Sequence, residues 1–161
     1  MSDTNFIDLN YSPDSDLLTE LYELVKSDQF YISPSNVYRT DVIGPLRDKF
    51  QNIVNAEIAD CGILRSEPNS VYPYHVDEFR GCAINMLMVE PNDYHVTRSM
   101  VGIKAERVNY RQNYFMMLNV MKLHMTMNKH PTEYRYVLSL GFKKNSYENM
   151  LQMNKEGLLI K

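Results

Sequence analysis

Short apolar runs separated by turn residues fill the chain between residues 57 and 142. Clusters such as Glu67-Pro68-Asn69-Ser70 and Pro91-Asn92-Asp93 divide one run from the next. Short strands at this spacing are typical of a β-sandwich or a β-barrel. We therefore expect strands at residues 59–64, 80–89, 101–108, 114–121 and 134–142.

Helical periodicity flanks this block on both sides. A first helix should follow the start signal Ser12-Pro13-Asp14, and a second should begin at Pro45, a residue that suits the first turn of a helix. A loop around Ser33-Pro34-Ser35-Asn36 separates the two. A last helix is expected from Ser146 to about Glu156, with its end near Gly157. The apolar positions at helical spacing are Leu17, Leu18, Leu21, Leu24 and Val25 in the first helix and Leu46, Phe50, Ile53 and Val54 in the second.

The predicted fold class is α+β, mainly β, in a single domain that spans residues 1–161. A chain of 161 residues can bury one hydrophobic core but is too short for two ordinary domains. We expect residues 1–56 to form a helical N-terminal support, residues 57–142 to form the β core, and residues 143–161 to add the C-terminal helix.

The charge balance makes a nucleic-acid partner unexpected. The chain carries 17 basic and 20 acidic side chains, a net charge of -3, and shows no concentrated basic face. No apolar run approaches the roughly 18 residues that a membrane span needs, and the polar N-terminus lacks the pattern of a secretory signal. We expect a cytoplasmic protein in which Cys61 and Cys82 are buried, reduced thiols. The sequence leaves the oligomeric state open.

The segment His75-Val76-Asp77 is the strongest candidate for a chemical site. It follows a turn, near an expected strand entrance. Residues i and i+2 of a strand face the same side, so His75 and Asp77 would project together and could ligate one metal ion. The spacing alone is weak evidence, because a chain of this composition is expected to contain about 0.25 His-x-Asp segments by chance. The alternative is a histidine in a loop or at a strand end that pairs with a nearby carboxylate.

The chain has four histidines, so few other metal ligands are available. His130 lies in a lysine-containing loop, where we expect it to be exposed. His95 follows a turn and is a stronger competitor. The strand context of His124 favours it over both as the partner of His75.

Residues in both halves of this region resemble those of short 2-oxoglutarate- and Fe(II)-dependent oxygenases. His75, Asp77 and Arg80 match a His-x-Asp-x-x-Arg segment that opens the catalytic half of such enzymes. His124 then matches the distal histidine on a late strand, and Arg135, 11 residues later, matches an arginine on the next strand.

This resemblance covers roughly residues 57–142 and implies a double-stranded β-helix, the jelly-roll core also found in cupins. It implies that the catalytic residues His75, Asp77 and His124 ligate Fe(II) and that Arg135 binds the distal carboxylate of the cosubstrate 2-oxoglutarate. The open face of the iron would then serve the cosubstrate and O2.

The pattern of the last strand leaves two interpretations of Arg135. Alternation with Tyr136 would suit a solvent-facing arginine, whereas the small, uncharged Val137 and Gly141 on the arginine's own face suit the interior of a barrel. An interior arginine needs a paired charge, which a dicarboxylate would supply. The usual Arg-x-Ser pair of the family would place serine at 137. Ser139 lies on the same strand face one step further along and is our candidate for that role.

Tyr72 and Arg80 are the remaining candidates for cosubstrate binding. Tyr72 flanks the triad and would contact the cosubstrate or the substrate. Arg80 would either hold a carboxylate of one of these molecules or pair with a nearby acid such as Glu78.

The activity that the resemblance implies is hydroxylation coupled to the conversion of 2-oxoglutarate and O2 into succinate and CO2. A small chain without a basic face favours an amino-acid side chain as the substrate, in a free small molecule or a peptide. Two alternatives remain: a cupin-like protein that binds a metal or a small ligand without oxygenase activity, and a structural β-protein without a metal. Arg135 argues against the plain cupin, which needs no carboxylate clamp.

Overall fold

The computed structural model of the protein describes residues 4–34 and 36–161. Residues 1–3 of the expected N-terminal support and Ser35 of the expected loop therefore lie outside the described residues. Within the described chain, helix α1 covers Ser15–Lys26, α2 covers Gly44–Ile53 and α3 covers Tyr147–Lys155. None of these helices has the length and apolar character needed to cross a membrane.

Strands make up most of the regular structure and form two antiparallel sheets. The larger sheet has the strand order β1-β9-β6-β11-β4-β3-β2, and the smaller sheet has the order β5-β10-β7-β8. The protein is therefore mainly β, with helices near both ends of the chain. In chain order the strands are β1 (Phe6–Asp8), β2 (Tyr31–Ile32), β3 (Tyr38–Asp41), β4 (Asp60–Ser66), β5 (Ser70–His75), β6 (Cys82–Leu87), β7 (His95–Val101), β8 (Lys104–Arg107), β9 (Phe115–Leu118), β10 (His124–Asn128) and β11 (Arg135–Phe142).

Local signals account for the helix ends. The Asp14 carboxylate accepts a hydrogen bond from the Leu17 amide at 2.9 Å and caps α1. The Ser146 hydroxyl accepts one from the Asn149 amide at 3.2 Å and caps α3. Pro45 lies in the first turn of α2. Each device suits the first turn of a helix, whose amides have no partner within the helix.

The larger sheet carries a hydrophobic core on each of its faces. One face packs against the helices, in a core that includes Leu21, Phe50 and Met150. The opposite, inner face is turned toward the smaller sheet, because Arg135 on that face of β11 donates a hydrogen bond to Thr97 of β7. The apolar residues of the second core are Ala83, Leu87, Val108, Tyr110, Met116, Leu118, Val120 and Val137. The site described below lies between the two inner faces.

All five expected strands overlap observed ones, but the strand expected at 101–108 runs across a turn and misses most of β7. The chain reverses at Gly102-Ile103, where Gly102 has a φ of +60°, so this region forms the β7–β8 hairpin. Glycine adopts this left-handed conformation without steric cost. Because the strand begins earlier than expected, His95, Thr97 and Ser99 are buried in β7.

Other strands were not expected from the sequence. Strands β1, β2 and β3 lie in the N-terminal part that we expected to be helical, and they extend the larger sheet at its two edges. Strand β5 contains Pro73, which suits its position at the edge of the smaller sheet. His75 is therefore the last residue of a strand, whereas the sequence placed it near a strand entrance.

The substitution Phe115→Ala should destabilise the fold strongly. Phe115 is fully buried, and its ring lies 5.3 Å from that of Tyr11 and 6.5 Å from that of Phe50, centroid to centroid. Because the truncation leaves a cavity, we expect the free energy of unfolding in urea to fall by about 3–5 kcal/mol. Phe79 is 76% exposed, so Phe79→Ala is a matched control that should change this quantity by less than about 0.5 kcal/mol. Equal losses at both positions would contradict this placement of the core.

Candidate functional site

The pairing of β5 with β10 brings two of the predicted metal ligands together. His75 ends β5, His124 begins β10, and the two are directly opposite each other in the antiparallel register. Their rings lie 4.2 Å apart, centroid to centroid. Asp77 follows two residues after β5, where its amide donates a hydrogen bond to the Val120 carbonyl at 2.9 Å. This backbone bond holds the carboxylate beside the two rings.

The three side chains have the spacing of a metal site. The Asp77 Oδ1 atom lies 3.5 Å from His75 Nε2 and 3.7 Å from His124 Nε2. All three ligand atoms lie within 4.8 Å of one another, and no other group of three histidine, cysteine or acidic side chains does so in the described part of the chain. An ion between them would have two imidazole ligands and one carboxylate, with further coordination positions free.

Backbone carbonyls orient both imidazole rings. The Nδ1 atom of His75 lies 2.7 Å from the Pro73 carbonyl oxygen, and that of His124 lies 2.9 Å from the Lys122 carbonyl oxygen. Each carbonyl accepts from an Nδ1–H group, which leaves the Nε2 lone pair free for a metal. Burial lowers the pKa of His124, despite the opposing effect of its bond to Lys122. His124 is therefore neutral at pH 7, as a metal ligand must be.

Arg80 lies behind the carboxylate ligand. Its guanidinium forms an ion pair with Asp60, donates a hydrogen bond to the Ser139 hydroxyl at 3.0 Å and lies 3.7 Å from Asp77 Oδ2. The acid partners of Arg80 are therefore Asp60 and Asp77, whereas the sequence suggested Glu78. An arginine in this position neutralises the Asp77 oxygen that is turned away from the histidines.

Two glycines make room for this arrangement on the inner face. A Cβ atom at Gly141 would lie 2.7 Å from Arg80 Nε, and one at Gly62 would lie 2.6 Å from an Arg39 nitrogen. Arg39 and Arg80 thus lie flat against the sheet on either side of Asp60 and both bind its carboxylate. Burial raises the pKa of Asp60, but the two guanidinium groups outweigh this effect and the net pKa is lowered. Asp60 is therefore ionised and fixes Arg80.

Arg135 is buried in the space between the sheets. Its side chain is 3% exposed and donates a hydrogen bond from Nη2 to Thr97 Oγ1 at 2.7 Å. Within the described residues, no carboxylate lies at ion-pair distance from it, and its Nε atom has no hydrogen-bond partner. Burial lowers the pKa of Arg135 because it penalises the charged guanidinium. A buried, unpaired arginine is costly unless an anion binds it.

Other polar atoms in the same space also lack partners among the described residues. They are the carbonyl oxygen of Asn85 and the hydroxyl groups of Ser99 and Tyr110, all of them buried. Burial raises the pKa of the Tyr110 phenol, so it remains a neutral hydrogen-bond donor. Buried polar groups in folded proteins are normally paired, so this cluster points to a polar ligand.

The sheet register relates this cluster to the metal site. Ser99 lies opposite His124, and Thr97, which Arg135 contacts, lies two residues further along the same face of β7. Two residues of a strand span about 6.6 Å. The separation suits a short dicarboxylate that has one end at the metal and the other at Arg135.

The remaining predicted residues fall into two groups. Tyr72 contacts the metal site edge-on, with its ring 4.3 Å from that of His75, and Ser139 is buried against Arg80. His95 and His130, the competing ligands, lie outside the triad, with their rings 6.3 Å apart. His130 is also less exposed than expected, because its Nδ1 atom accepts hydrogen bonds from two amides of its own loop.

Sequence reasoning did not identify four residues of the site. Thr97 and Ser99 could have been found from the alternation of polar residues along 95–99, had the strand been placed there. Asp60 lies within an expected strand, but nothing in the sequence marks it as a partner of Arg80. Tyr110 lies in a connection between strands, where no pattern predicts that it is buried.

Comparisons with known proteins agree with this geometry at the level of the fold. No family model matches the chain, and no curated protein is similar to it in sequence. Solved structures do match. A Pseudomonas putida prolyl-4-hydroxylase has a TM-score of 0.64 at 12% identity, over 88% of this chain and 94% of its own. HygX from Streptomyces hygroscopicus, with nickel, 2-oxoglutarate and hygromycin B bound, has a TM-score of 0.63 at 11% identity, over 90% and 86%.

A third structure is an oxidoreductase of the 2OG-Fe(II) oxygenase family from Burkholderia pseudomallei. Its TM-score is 0.63 at 13% identity, and the match covers 88% of each chain. The fold of this chain is therefore that of prolyl hydroxylases and 2-oxoglutarate/Fe(II) oxygenases. This confirms the resemblance noted in the sequence, and identities this low carry the likeness no further than the fold.

Removal of one imidazole ligand should abolish tight metal binding. We expect wild-type protein to bind one Ni(II) ion per chain in isothermal titration calorimetry, and His124→Ala to bind it more than about 100-fold more weakly, since loss of a ligand costs more than loss of an outer-shell partner. The control is His130→Ala, because His130 lies outside the triad and should bind nickel like the wild type. Unchanged nickel affinity in His124→Ala would rule out this site.

Proposed function

We propose that the protein is a 2-oxoglutarate- and Fe(II)-dependent oxygenase that hydroxylates an amino-acid side chain, free or within a peptide. One observation carries the proposal: a buried arginine without an ion-pair partner in the described chain contacts Thr97, two residues along β7 from the position opposite His124 of a His-Asp-His cluster. A metal site alone would fit many activities. The arginine adds a place for the distal carboxylate of a cosubstrate.

The architecture supports a double-stranded β-helix as the catalytic core. Two antiparallel sheets oppose each other, the candidate site lies between them, and oxygenases with solved structures share the fold. We place this core at residues 57–142, within a single domain of residues 1–161, with the helices packed on the outer face of the larger sheet. Strands β1–β3 then extend the sheet beyond the core.

His75, Asp77 and His124 would hold the iron as a facial triad. The fit rests on the free Nε2 atoms of both rings and on the carboxylate beside them. When bound, Fe(II) would supply the activation of O2 through which 2-oxoglutarate is converted to succinate and CO2 while one oxygen atom becomes the hydroxyl group of the product. The triad itself moves no proton, and no general base is required.

Arg135 would bind the distal carboxylate of 2-oxoglutarate. A guanidinium and a carboxylate form two parallel hydrogen bonds, and the unpaired Nε atom offers one of the donors. The Tyr110 hydroxyl is available as a further donor beside it. The apolar side chains of Leu87, Met116 and Val137 line the same inner face and would exclude water, which strengthens the ionic contact.

Ser139 and Tyr72 would act nearer the metal. Ser139 accepts the Arg80 hydrogen bond, which favours a role in holding Arg80 over a direct contact with the cosubstrate. Tyr72 packs edge-on against His75 and would border the cosubstrate or the substrate. Val137 occupies the place of the family's usual serine, and Thr97 would supply a hydroxyl at the clamp in its stead.

The choice of an amino-acid substrate has support from the neighbour that is a prolyl-4-hydroxylase and from the small size of this chain. A cupin-like protein that binds a metal or a small ligand without oxygenase activity is the alternative. The unpaired charge of Arg135 argues against it, because a plain metal site gives no reason to bury that charge.

The proposed role of Arg135 as the ligand of the distal carboxylate can be tested by its effect on the affinity for 2-oxoglutarate. We expect Ni(II)-loaded Arg135→Gln to bind 2-oxoglutarate at least about 100-fold more weakly than wild type in calorimetry, because two charge-assisted hydrogen bonds are lost. Nickel affinity should not change. The control is Arg98→Gln, since Arg98 is on the exposed face of β7. Wild-type protein with Fe(II) and O2 should also form succinate from 2-oxoglutarate. Absence of both binding and succinate would overturn the proposed function.

The role of Arg80 can be tested with two 2-oxo acids, of which only one has a distal carboxylate. We expect Arg80→Gln to weaken Ni(II) binding about 10–100-fold, the usual effect of losing a group that orients a ligand. The preference for 2-oxoglutarate over 2-oxopentanoate, which lacks the distal carboxylate, should stay as in the wild type. A lost preference with unchanged metal affinity would instead make Arg80 a ligand of the cosubstrate.

A further inference from the structure

His95 lies at the far end of the site, beyond the arginine clamp. It begins β7, two residues before Thr97, and faces the same inner side of the smaller sheet. Its side chain is 5% exposed, and its Nδ1 atom is buried with no hydrogen-bond partner among the described residues. The proposed iron triad leaves this histidine without a role.

The surroundings of His95 favour a neutral ring in the free protein. Burial and the nearby charge of Arg135 both lower its pKa, and His130 acts in the same direction. Glu133 and a hydrogen bond with the side chain of Asn128, which lies opposite His95 on β10, act in the other direction, and the Glu133 carboxylate lies 3.4 Å from His130 Nε2. His95 Nδ1 and Arg135 Nε are therefore both buried without a hydrogen-bond partner in the described chain, and neither side chain forms an ion pair there.

A cleft connects His95 with solvent at this end of the barrel. It has a volume of about 350 Å³ and is lined by Leu87, Asp93, His95, Arg107 and Tyr110, among others. Asp93 pairs with Arg107 at 2.8 Å and is thereby occupied. His95 and Tyr110 both line this cleft, and none of the proposed metal ligands does, so a proton can approach His95 from the side away from the metal site.

We propose that His95 is a second ligand of the cosubstrate's distal carboxylate and that it binds this carboxylate in its protonated form. The inference rests on the proposed function and adds a specificity-determining residue to it. When 2-oxoglutarate binds, one proton from solvent adds to the ring, and the imidazolium and the Arg135 guanidinium then share one carboxylate. Without the cosubstrate, the two cations would repel each other.

The sign of the pH effect follows from this coupling. A carboxylate placed beside the ring raises the pKa of His95 in the complex above its lowered value in the free protein. Binding then takes up a proton wherever the pH lies between the two values, so affinity for the distal carboxylate rises as the pH falls. At a pH above both values, His95 is neutral in both states and the pH-dependent gain is absent.

The test compares two 2-oxo acids on the Zn(II)-loaded protein at pH 6 and pH 8. Any loss of metal at low pH affects 2-oxoglutarate and 2-oxopentanoate equally, so the ratio of their dissociation constants isolates the distal carboxylate. We expect this preference for 2-oxoglutarate to be roughly tenfold greater at pH 6 than at pH 8 in the wild type, the effect of about one pKa unit. His95→Gln should show the same preference at both values, and Arg98→Gln, on the exposed face of β7, should behave like the wild type.

A direct measurement keeps the proposal testable if His95→Gln does not fold. Imidazole NMR of the diamagnetic zinc protein should show that the pKa of His95 rises when 2-oxoglutarate is added and does not change with 2-oxopentanoate. An unchanged His95 pKa, or a preference for 2-oxoglutarate that is equal at both pH values, would overturn the role of His95 while leaving the clamp intact. No preference for 2-oxoglutarate at either pH would overturn the proposed function itself.

Discussion

The register of the smaller sheet is the constraint on which the whole site depends. In β5, β10 and β7 the residues His75, His124 and Ser99 lie side by side. A shift of one residue in either pairing would turn the side chains of the shifted strand away from the larger sheet. On the same face of β7, Thr97 lies two residues from Ser99 and accepts a hydrogen bond from Arg135. The separation of metal site and clamp is thus a property of strand geometry rather than of loops.

Charge burial divides the site into a paired half and an unpaired half. Near the triad, Arg39 and Arg80 share Asp60, Asp41 and Asp77 are their further acid partners, and two glycines let them lie against the sheet. The arginines of this half are paired with carboxylates of the protein and need no bound anion. At the other end Arg135 and His95 carry donors with no partners in the described chain. The asymmetry indicates that the first half positions a metal ligand and that the second half receives an anion.

The sequence located the candidate metal ligands and Arg135 better than it located their surroundings. His75, Asp77, His124 and Arg135 were nominated because their order and spacing together resemble a known arrangement. The fold class followed from turn residues and short apolar runs. Strand β7 was misplaced because its polar face, with Thr97 and Ser99, conceals the apolar pattern that marks a strand.

The partners of Arg80 were also missed, for a different reason. Asp60 is 20 residues away in the chain and reaches Arg80 only because β4 and β6 both flank β11. Contacts of this kind depend on the order of strands in the sheet, which residue patterns do not encode. The burial of Tyr110, in a connection after the β7–β8 hairpin, depends on the same topology.

The central claim is that one dicarboxylate spans a metal ion and Arg135 in this site. A crystal structure of the protein with Ni(II) and 2-oxoglutarate tests it most directly. We expect the ion at about 2.0–2.2 Å from His75 Nε2, His124 Nε2 and an Asp77 oxygen, the usual range for such ligands, and the distal carboxylate paired with the Arg135 guanidinium. An ion held elsewhere, or a carboxylate that leaves Arg135 unpaired, would contradict the account.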